Sequence, residues 1–203
     1  MTRRIAWDEG RWTSPPVSAR QLGEQLVVGA EQGSDFWEKT LYGFERSSGH
    51  ALLAAWGPDS AVEVSFDLRG FDELYDQAGL MLWSSRTRWI KVGVEINDGV
   101  PHVGAVVTDG FSDWSLAPVP EWSGSIVTIR ASSSKDAVIL RATAAGHAWR
   151  TLRVAHFEPG SAAQAGPFLC APQRAGFEVR FIRWLHTEPD PELHWSPPLP
   201  ELD

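Results

Sequence analysis

Hydrophobic and polar residues alternate in short runs along most of the chain, and no long stretch has the spacing of an amphipathic helix. Short alternating runs separated by Gly, Pro, Ser and Asp are typical of β-strands. About ten such runs predict an all-β sandwich or barrel. The runs are EQLVVGAE, HALLAAW, AVEVSFDLRG, QAGLMLW, WIKVGVEIN, VPHVGAVVTD, SIVTIRAS, AVILRAT, TLRVAHF and GFEVRFIRWL.

The segment WIKVGVEINDGVPHVGAVVT contains the clearest hairpin signal. Asp98-Gly99 lies between two alternating runs, and a two-residue type I′ turn favours this pair because both residues adopt a positive φ. A turn at these two residues makes one face of the hairpin wholly apolar, whereas a three-residue turn would mix the faces. The register sets Asn97 opposite Val100, Val94 opposite Val103, Val92 opposite Ala105 and Ile90 opposite Val107. On the other face it pairs Glu95 with His102, Gly93 with Gly104, Lys91 with Val106 and Trp89 with Thr108.

A second hairpin joins LYDQAGLMLW to this segment through the short loop SSRTR. Pairing Trp83 with Trp89 extends the apolar face through Leu80 and Leu82, and predicts strands at about residues 77–83, 89–97 and 100–108. The other face then carries a row of glycines, which we interpret as the floor of a ligand groove. The alternatives are that the glycines admit a bulky tryptophan or let the sheet curve. The row is Gly79, Gly93 and Gly104, bordered by Gln77, Glu95 and His102 on one side and by Met81, Lys91, Trp83 and Trp89 on the other.

Composition narrows the class of protein. A length of 203 residues argues for one domain. The formal net charge of −8, without long runs of either sign, argues against nucleic acid or anionic membrane as partners. Cys170 is the only cysteine, so an internal disulfide is excluded and a passive thiol is expected. The start, MTRRIAWDEGRW, lacks the apolar run of a signal or membrane span, and we expect a cytoplasmic protein.

Several motifs in order resemble a widespread "domain of unknown function" family that includes YesU-like and regulation-of-enolase-like proteins. They are SDFWEKTLYGFERSSGH, LYDQAGLML, WIKVGVE, VVT followed by SDWS, and GFEVRF, and the resemblance covers roughly residues 5–185. It implies a concanavalin A-like jelly-roll sandwich of two curved antiparallel sheets, whose concave face binds or cleaves glycans in better-known relatives. The expected organisation is a single sandwich domain, 1–186, and a Pro-rich tail, 187–203, packed on the surface.

Catalysis by this face would require suitably placed carboxylates. Glycoside hydrolysis uses two carboxyl groups about 5 to 9.5 Å apart, and Glu95 is the best catalytic candidate, with Asp76 or Asp113 as loop partners that could swing in. A triad of Ser112, Asp113 and a histidine lacks the nucleophile elbow of such enzymes. No histidine spacing typical of zinc is present, so we expect no metal and no cofactor, with a structural calcium ion as the remaining alternative.

Sugar binding requires fewer special groups than catalysis. Indole rings can stack on a sugar, Gln77 and Lys91 can donate hydrogen bonds to its hydroxyl groups, and Glu95 can accept them. Eleven tryptophans supply such rings, although most are expected in the core, as are Phe36, Trp37, Tyr42 and Phe44, with groove lining as the alternative for Trp37. We expect binding of a carbohydrate or carbohydrate-like metabolite; a glycan-active enzyme and a regulatory protein-interaction module are the alternatives. Monomer and homodimer both remain open. The expected ligand-binding residues are Gln77, Gly79, Trp83, Trp89, Lys91, Gly93, Glu95, His102, Asp76, Trp37, His50, Asp113 and Trp114.

Overall fold

The computed structural model, which describes residues 2–160 and 162–201, is a β-sandwich of two antiparallel sheets. It has the concanavalin A-like architecture that the family resemblance implies. The larger sheet has eight strands; its order is β15 (Arg150–His156), β14 (Ala137–Ala144), β13 (Ile126–Ser134), β8 (Ala61–Asp67), β17 (Glu178–Thr187), β4 (Gln25–Gly29) and β3 (Ser18–Leu22), with β1 (Arg3–Arg4) also paired to β17.

The second sheet has seven strands, and its outer face carries the candidate site. Its order is β12 (Ser112–Pro118), β11 (Val100–Asp109), β10 (Arg88–Asn97), β9 (Gln77–Ser85), β16 (Gln164–Cys170), β7 (His50–Ala55) and β2 (Arg11–Trp12). A separate hairpin of β5 (Phe36–Glu38) and β6 (Glu45–Ser47) lies on that outer face. Two short 3₁₀ helices span Trp7–Glu9 and Pro120–Trp122. No helix in the described ranges is long and apolar enough to cross a membrane.

The predicted register of β9, β10 and β11 is confirmed in every pair. Asn97 lies opposite Val100, and the turn residues Asp98 and Gly99 have φ values of 50° and 75°. Trp83 lies opposite Trp89 across the second hairpin. The inner face of these strands is buried between the sheets as expected, except that Val107 is only half-buried beside the core.

Strand β16 was not predicted, because Gly166 and Pro167 interrupt its sequence pattern. The strand nevertheless lies centrally, between β9 and β7. Its ladder with β7 pairs Ala165 with Ala54 and Phe168 with Ala51 but skips the two intervening residues. Proline has no N–H to donate, so a central strand can accommodate it only where the ladder is locally broken.

A second hydrophobic cluster, outside the inter-sheet core, fixes the β5–β6 hairpin to the seven-stranded sheet. Phe36 is fully buried, with its ring centroid 6.1 Å from that of Trp83 and 5.9 Å from that of Trp89. Cys170 is buried in the same cluster, where loss of hydration raises the pKa of its thiol. The expectation that Phe36 is core is confirmed, and the tryptophan at position 89 is core as well.

The glycine row allows close packing of neighbouring strand backbones, which its interpretation as a groove floor did not include. A Cβ on Gly79 would overlap the Val92 carbonyl oxygen and lie 2.6 Å from the Gly93 Cα. A Cβ on Gly104 would likewise overlap the Ser115 carbonyl oxygen. Valine at Gly79 or Gly93 must therefore push neighbouring backbones apart, so large losses of stability would follow whether or not a ligand binds there.

The C-terminal segment after β17 is fastened to the outer face of the eight-stranded sheet. Two buried arginines of neighbouring strands share one carboxylate of that segment: Arg130 and Arg141 each donate to Asp190, over 2.8 Å in both cases. The Trp149 indole N–H also donates to the Pro198 carbonyl over 3.1 Å. These contacts lie on the opposite side of the sandwich from the β5–β6 hairpin.

The packing of Phe36 gives a stability test. A Cβ on Gly49 would overlap the Phe36 ring and lie 2.7 Å from the Cys170 Sγ, whereas a Cβ on Gly57 would have no atom within 4 Å. Gly49→Ala should therefore lower the free energy of unfolding by about 1 to 3 kcal/mol. Gly57→Ala should leave it unchanged or raise it slightly. Equal urea-unfolding midpoints for the two variants would show that the hairpin does not depend on this contact.

Candidate functional site

A cavity of about 430 Å³ opens on the outer face of the seven-stranded sheet, between β9, β10 and the β5–β6 hairpin. Its floor comes from the strands and its walls from the hairpin and from loops before β9 and after β16. A volume of this size is typical of small-molecule sites. The lining residues are Gly33, Asp35, Trp37, Tyr42, Phe44, Arg46, Tyr75, Gln77, Lys91, Glu95, Val106, Trp114, Pro172 and Gln173.

Aromatic rings form one wall of the cavity. Trp37 lies edge to face with Tyr42 and with Trp114, at centroid distances of 5.7 and 6.3 Å. Tyr42 stacks on Phe44 at 5.3 Å. The loop holds these rings because Lys39 and Gly43 both have positive φ, which lets the chain reverse tightly between β5 and β6. The wall is therefore a preformed, partly exposed aromatic surface.

Lys91 lies at the centre of the floor. Its ammonium group donates to Asp35 Oδ1 over 3.0 Å and to Gln77 Oε1 over 2.8 Å, and its side chain is almost fully buried. Burial alone would lower the pKa of Lys91, but the nearby Asp35 carboxylate raises it above its ordinary value. The lysine thus stays charged and ties the segment before β5 to strand β10. An ammonium has three donors, so one remains for a ligand.

Glu95 is the unusual group of the floor. Its exposed fraction is only 9%, and its Oε1 has no hydrogen-bond partner among the described residues. Burial is the main cause that raises the pKa of Glu95 to about 7, although the Lys91 charge opposes this shift. The carboxyl group is therefore close to half protonated near neutral pH, and can both donate to and accept from a ligand.

Five of the predicted ligand-binding residues come together in this cavity. They lie on three elements and one hairpin that the sequence separates widely, and they are Trp37, Gln77, Lys91, Glu95 and Trp114. Gly93 lines a narrow cleft of about 20 Å³ that continues from the cavity along β10 and β11. Gly79 lies outside both, buried opposite Phe168 of strand β16.

Two predicted tryptophans lie elsewhere on the sheet, because the hairpin covers the middle of its face. Trp89 is 1% exposed, and its indole N–H donates to the Arg86 carbonyl over 3.1 Å. Trp83 is half-buried against Phe36 and lines a different cavity. Neither ring therefore lines the cavity that contains Glu95, and their role in binding stays a prediction.

The four remaining polar residues of the predicted site form hydrogen bonds within the protein. His102 contacts the Val100 carbonyl through Nδ1 over 3.0 Å, and His50 accepts from the Glu31 N–H through Nε2 over 3.0 Å. Asp76 is buried and accepts from Arg174 over 2.7 Å, whereas the exposed Asp113 accepts from Arg153 over 2.8 Å. None of these four side chains lines the cavity, and their assignment as ligand-binding residues stays a prediction.

Sequence reasoning missed much of the aromatic wall and one of the acids. Tyr42 and Phe44, expected in the core, are 52% and 40% exposed and line the cavity. Asp35 and Tyr75 were not considered for the site. A usable signal was the clustering of Tyr, Gly and Phe in LYGF, which is typical of an exposed aromatic turn rather than of an alternating strand.

No group of three or more His, Cys, Asp or Glu side chains converges as a metal site within the ranges 2–160 and 162–201. The two loop acids considered as partners of Glu95 are paired with arginines instead. Asp76 lies in an ion pair with Arg174, and Asp113 in another with Arg153. The cavity itself offers carboxyl, ammonium, guanidinium, amide and aromatic groups.

The raised pKa of Glu95 makes stability depend on pH. A carboxyl group whose pKa rises on folding contributes fully below its ordinary value of 4.5, and the contribution is lost as the pH rises through about 7. Glu95→Gln stays neutral and should escape this loss. Between about pH 5 and pH 8 the wild type should lose up to about 3 kcal/mol of unfolding free energy relative to the variant.

Urea unfolding of both proteins across this pH range measures the difference. Glu158→Gln, which removes an exposed carboxylate, is the matched control and should keep the wild-type pH profile. Parallel profiles for the wild type and Glu95→Gln would contradict the raised pKa.

Solved structures of other proteins have a similar fold. A crystal structure of a functionally unknown protein from Saccharomyces cerevisiae superposes with a TM-score of 0.83 at 31% identity, covering 91% of this chain and 99% of that chain. Xylan beta-1,4-xylosidase from Bacillus halodurans superposes with a TM-score of 0.67 at 14% identity. This chain covers 38% of that enzyme, and the likeness shows the fold alone.

Sequence comparison gives the family. "Regulation of enolase protein 1" from Saccharomyces cerevisiae is 34% identical over 182 residues, which is 89% of this chain and 90% of that protein. The family described as "Protein of unknown function (DUF1349)" matches residues 12–189. The match spans both sheets, the β5–β6 hairpin and every residue of the cavity floor. The chain therefore belongs to the DUF1349 family.

Proposed function

We propose that the cavity binds a carbohydrate or a carbohydrate-like small molecule. The observation that carries the proposal is the arrangement of one aromatic wall beside one polar floor. A sugar ring has the matching surfaces, since its C–H bonds form an apolar face while its hydroxyl groups project around the edge. Aromatic rings such as Tyr42 and Phe44 can cover the face, and the floor can hydrogen-bond the edge.

Each floor residue has a role that suits a hydroxyl group. Lys91 donates with the N–H that Asp35 and Gln77 do not use. Glu95 accepts a hydrogen bond from a hydroxyl group when it is ionised and donates one when it is protonated. Its Oε1 has no other partner among the described residues and is free to form this hydrogen bond. Binding would remove the cost of leaving this buried oxygen without a partner.

The comparisons add limited support. One carbohydrate-active enzyme with a similar fold is a xylan beta-1,4-xylosidase, which makes xylose and xylo-oligosaccharides reasonable first ligands for a screen. The yeast relative's name points instead to regulation of an enzyme. We take ligand binding as the biochemical function and regulation as its cellular purpose, in a protein that we place in the cytoplasm.

Acid–base catalysis is the second candidate, and one specific observation favours it. Asp35 and Glu95 line the same cavity, and the pKa of Glu95 is raised to about 7, which suits a general acid at neutral pH. Glycoside hydrolysis uses two carboxyl groups in this way. Asp35, however, is paired with Lys91 over 3.0 Å, and this pairing ranks binding above hydrolysis.

A glycan and metabolite binding screen tests the proposal, with two matched Phe→Ala variants. Phe44 lines the cavity and Phe111 is exposed outside it. Phe44→Ala should weaken binding of any hit about 5- to 10-fold, as the loss of one ring contact implies. Phe111→Ala should bind like the wild type. Equal affinities for both variants, or a screen without hits, would contradict a sugar site in this cavity.

The catalytic candidate is tested separately with chromogenic nitrophenyl glycosides. If Glu95 is the general acid, wild-type turnover should be measurable and Glu95→Gln should reduce it about 100-fold or more while the ligand still binds. Turnover that Glu95→Gln retains, or no turnover by the wild type, would exclude the catalytic role and leave binding.

A further inference from the structure

A second cavity, of about 420 Å³, opens on the same sheet face at the other side of the β5–β6 hairpin. Trp83 and Phe36 are in contact there, so the hairpin that closes one side of the first cavity also forms a wall of this one. Its polar side chains include neither the lysine nor the carboxylates that line the first cavity. The polar side chains of the second cavity are Arg11, Arg86, Gln164, Thr13 and Ser47.

The two arginines of this cavity lack partners for their guanidinium groups. Among the described residues, neither Arg11 nor Arg86 forms a side-chain hydrogen bond, an ion pair or an aromatic contact. Arginines nearby are engaged: Arg46 lies 5.1 Å from the Phe44 ring and Arg88 lies 5.6 Å from the Phe157 ring. Two unpaired arginines beside one cavity are notable in a chain of net charge −8.

Strand pairing and the β9–β10 turn place these groups around the cavity. Arg11 lies opposite Leu53, and Leu53 belongs to the cluster under the hairpin, so both are on the outer face. Gln164 lies opposite Trp83 on the same face. Arg86 lies in the turn, and its carbonyl accepts from the buried Trp89 indole N–H, which fixes the turn against the sheet.

One buried acid, Glu38, interacts with Arg86 through its charge. Both of its carboxyl oxygens are buried without a hydrogen-bond partner in the described chain. Burial, and then the charge of Glu45, raise the pKa of Glu38. Arg11 and Arg86 are both exposed, and neither forms an ion pair among the described residues, so their positive charge is available to a ligand in the cavity.

We propose that the second cavity binds a small oxyanion, a phosphate or carboxylate group, carried on a ring that stacks against Trp83. The planar guanidinium group pairs with both kinds of oxyanion through two parallel hydrogen bonds. The half-buried indole supplies a flat surface, and Gln164 can bond a hydroxyl group of the ring. A sugar phosphate or a sugar acid combines these features. The site is independent of the first cavity and of the sugar-binding proposal.

Calorimetric titration tests this proposal with glucose 6-phosphate, glucuronate, inorganic phosphate and glucose as probes. Arg11→Gln and Arg86→Gln should each weaken binding of the anionic sugars at least tenfold. Arg180→Gln, which removes an exposed arginine outside the cavity, is the matched control and should bind like the wild type. Arg86→Lys should retain part of the affinity, because it keeps the charge but loses the planar fork.

Each outcome has a defined meaning. Binding of glucose 6-phosphate, of glucuronate or of both, together with loss in the two glutamine variants, supports the site and identifies the oxyanion that it prefers. Unchanged affinity in both glutamine variants overturns it, and so does the absence of binding by every anionic probe up to about 10 mM. Equal binding of glucose and glucose 6-phosphate in this cavity also overturns it, since the arginines would then contribute nothing.

Discussion

The packing of the β5–β6 hairpin on the outer face of the seven-stranded sheet determines how this protein can bind ligands. Phe36 enters a cluster with Trp89, Met81 and Phe168, and Gly49 leaves the space for its ring. Without this contact the face would be one open surface across β9, β10 and β11. With it, the face is divided into two cavities of similar volume, about 430 and 420 Å³.

The same packing separates the charges. Asp35, just before β5, accepts a hydrogen bond from Lys91 and holds it beneath the first cavity. Burial of the Glu95 side chain in the same floor raises its pKa to about 7. Two acids, the Lys91 ammonium and Arg46, which lies over the Phe44 ring, thus gather on one side of the hairpin, while the unpaired Arg11 and Arg86 lie on the other without a carboxylate. A neutral polyhydroxylated ligand suits the first side, and an anionic one suits the second.

The sequence predicted the central hairpins well, because their information is local. Alternation and the Asp98-Gly99 turn determine the register from Trp89 to Thr108, and only one register keeps the inner face apolar. The reason for the glycine row, in contrast, could not be read from neighbouring residues in the sequence. Gly79 and Gly93 bring two strand backbones too close for any Cβ, and a one-dimensional pattern contains no distance between strands.

The cavity could be predicted only in part for the same reason. Lys91 and Glu95 follow from the register of β10, but Asp35 and Tyr42 reach them from a hairpin that has no alternating pattern and reverses through Lys39 and Leu41 at positive φ. Such backbone conformations are uncommon for residues other than glycine, so composition gives little warning of them. The arginine cavity has no motif at all, since Arg11 and Arg86 meet only through the fold.

Fluorine NMR of protein labelled with 5-fluorotryptophan tests the central claim, that the hairpin divides the face into two separate sites. Its eleven resonances can be assigned with single Trp→Phe variants. A neutral sugar found in the screen should shift the Trp37 and Trp114 signals and leave that of Trp83 unchanged, whereas glucose 6-phosphate should shift Trp83 and leave the other two. Coincident shifts of all three signals with either ligand would show one continuous groove and contradict the account.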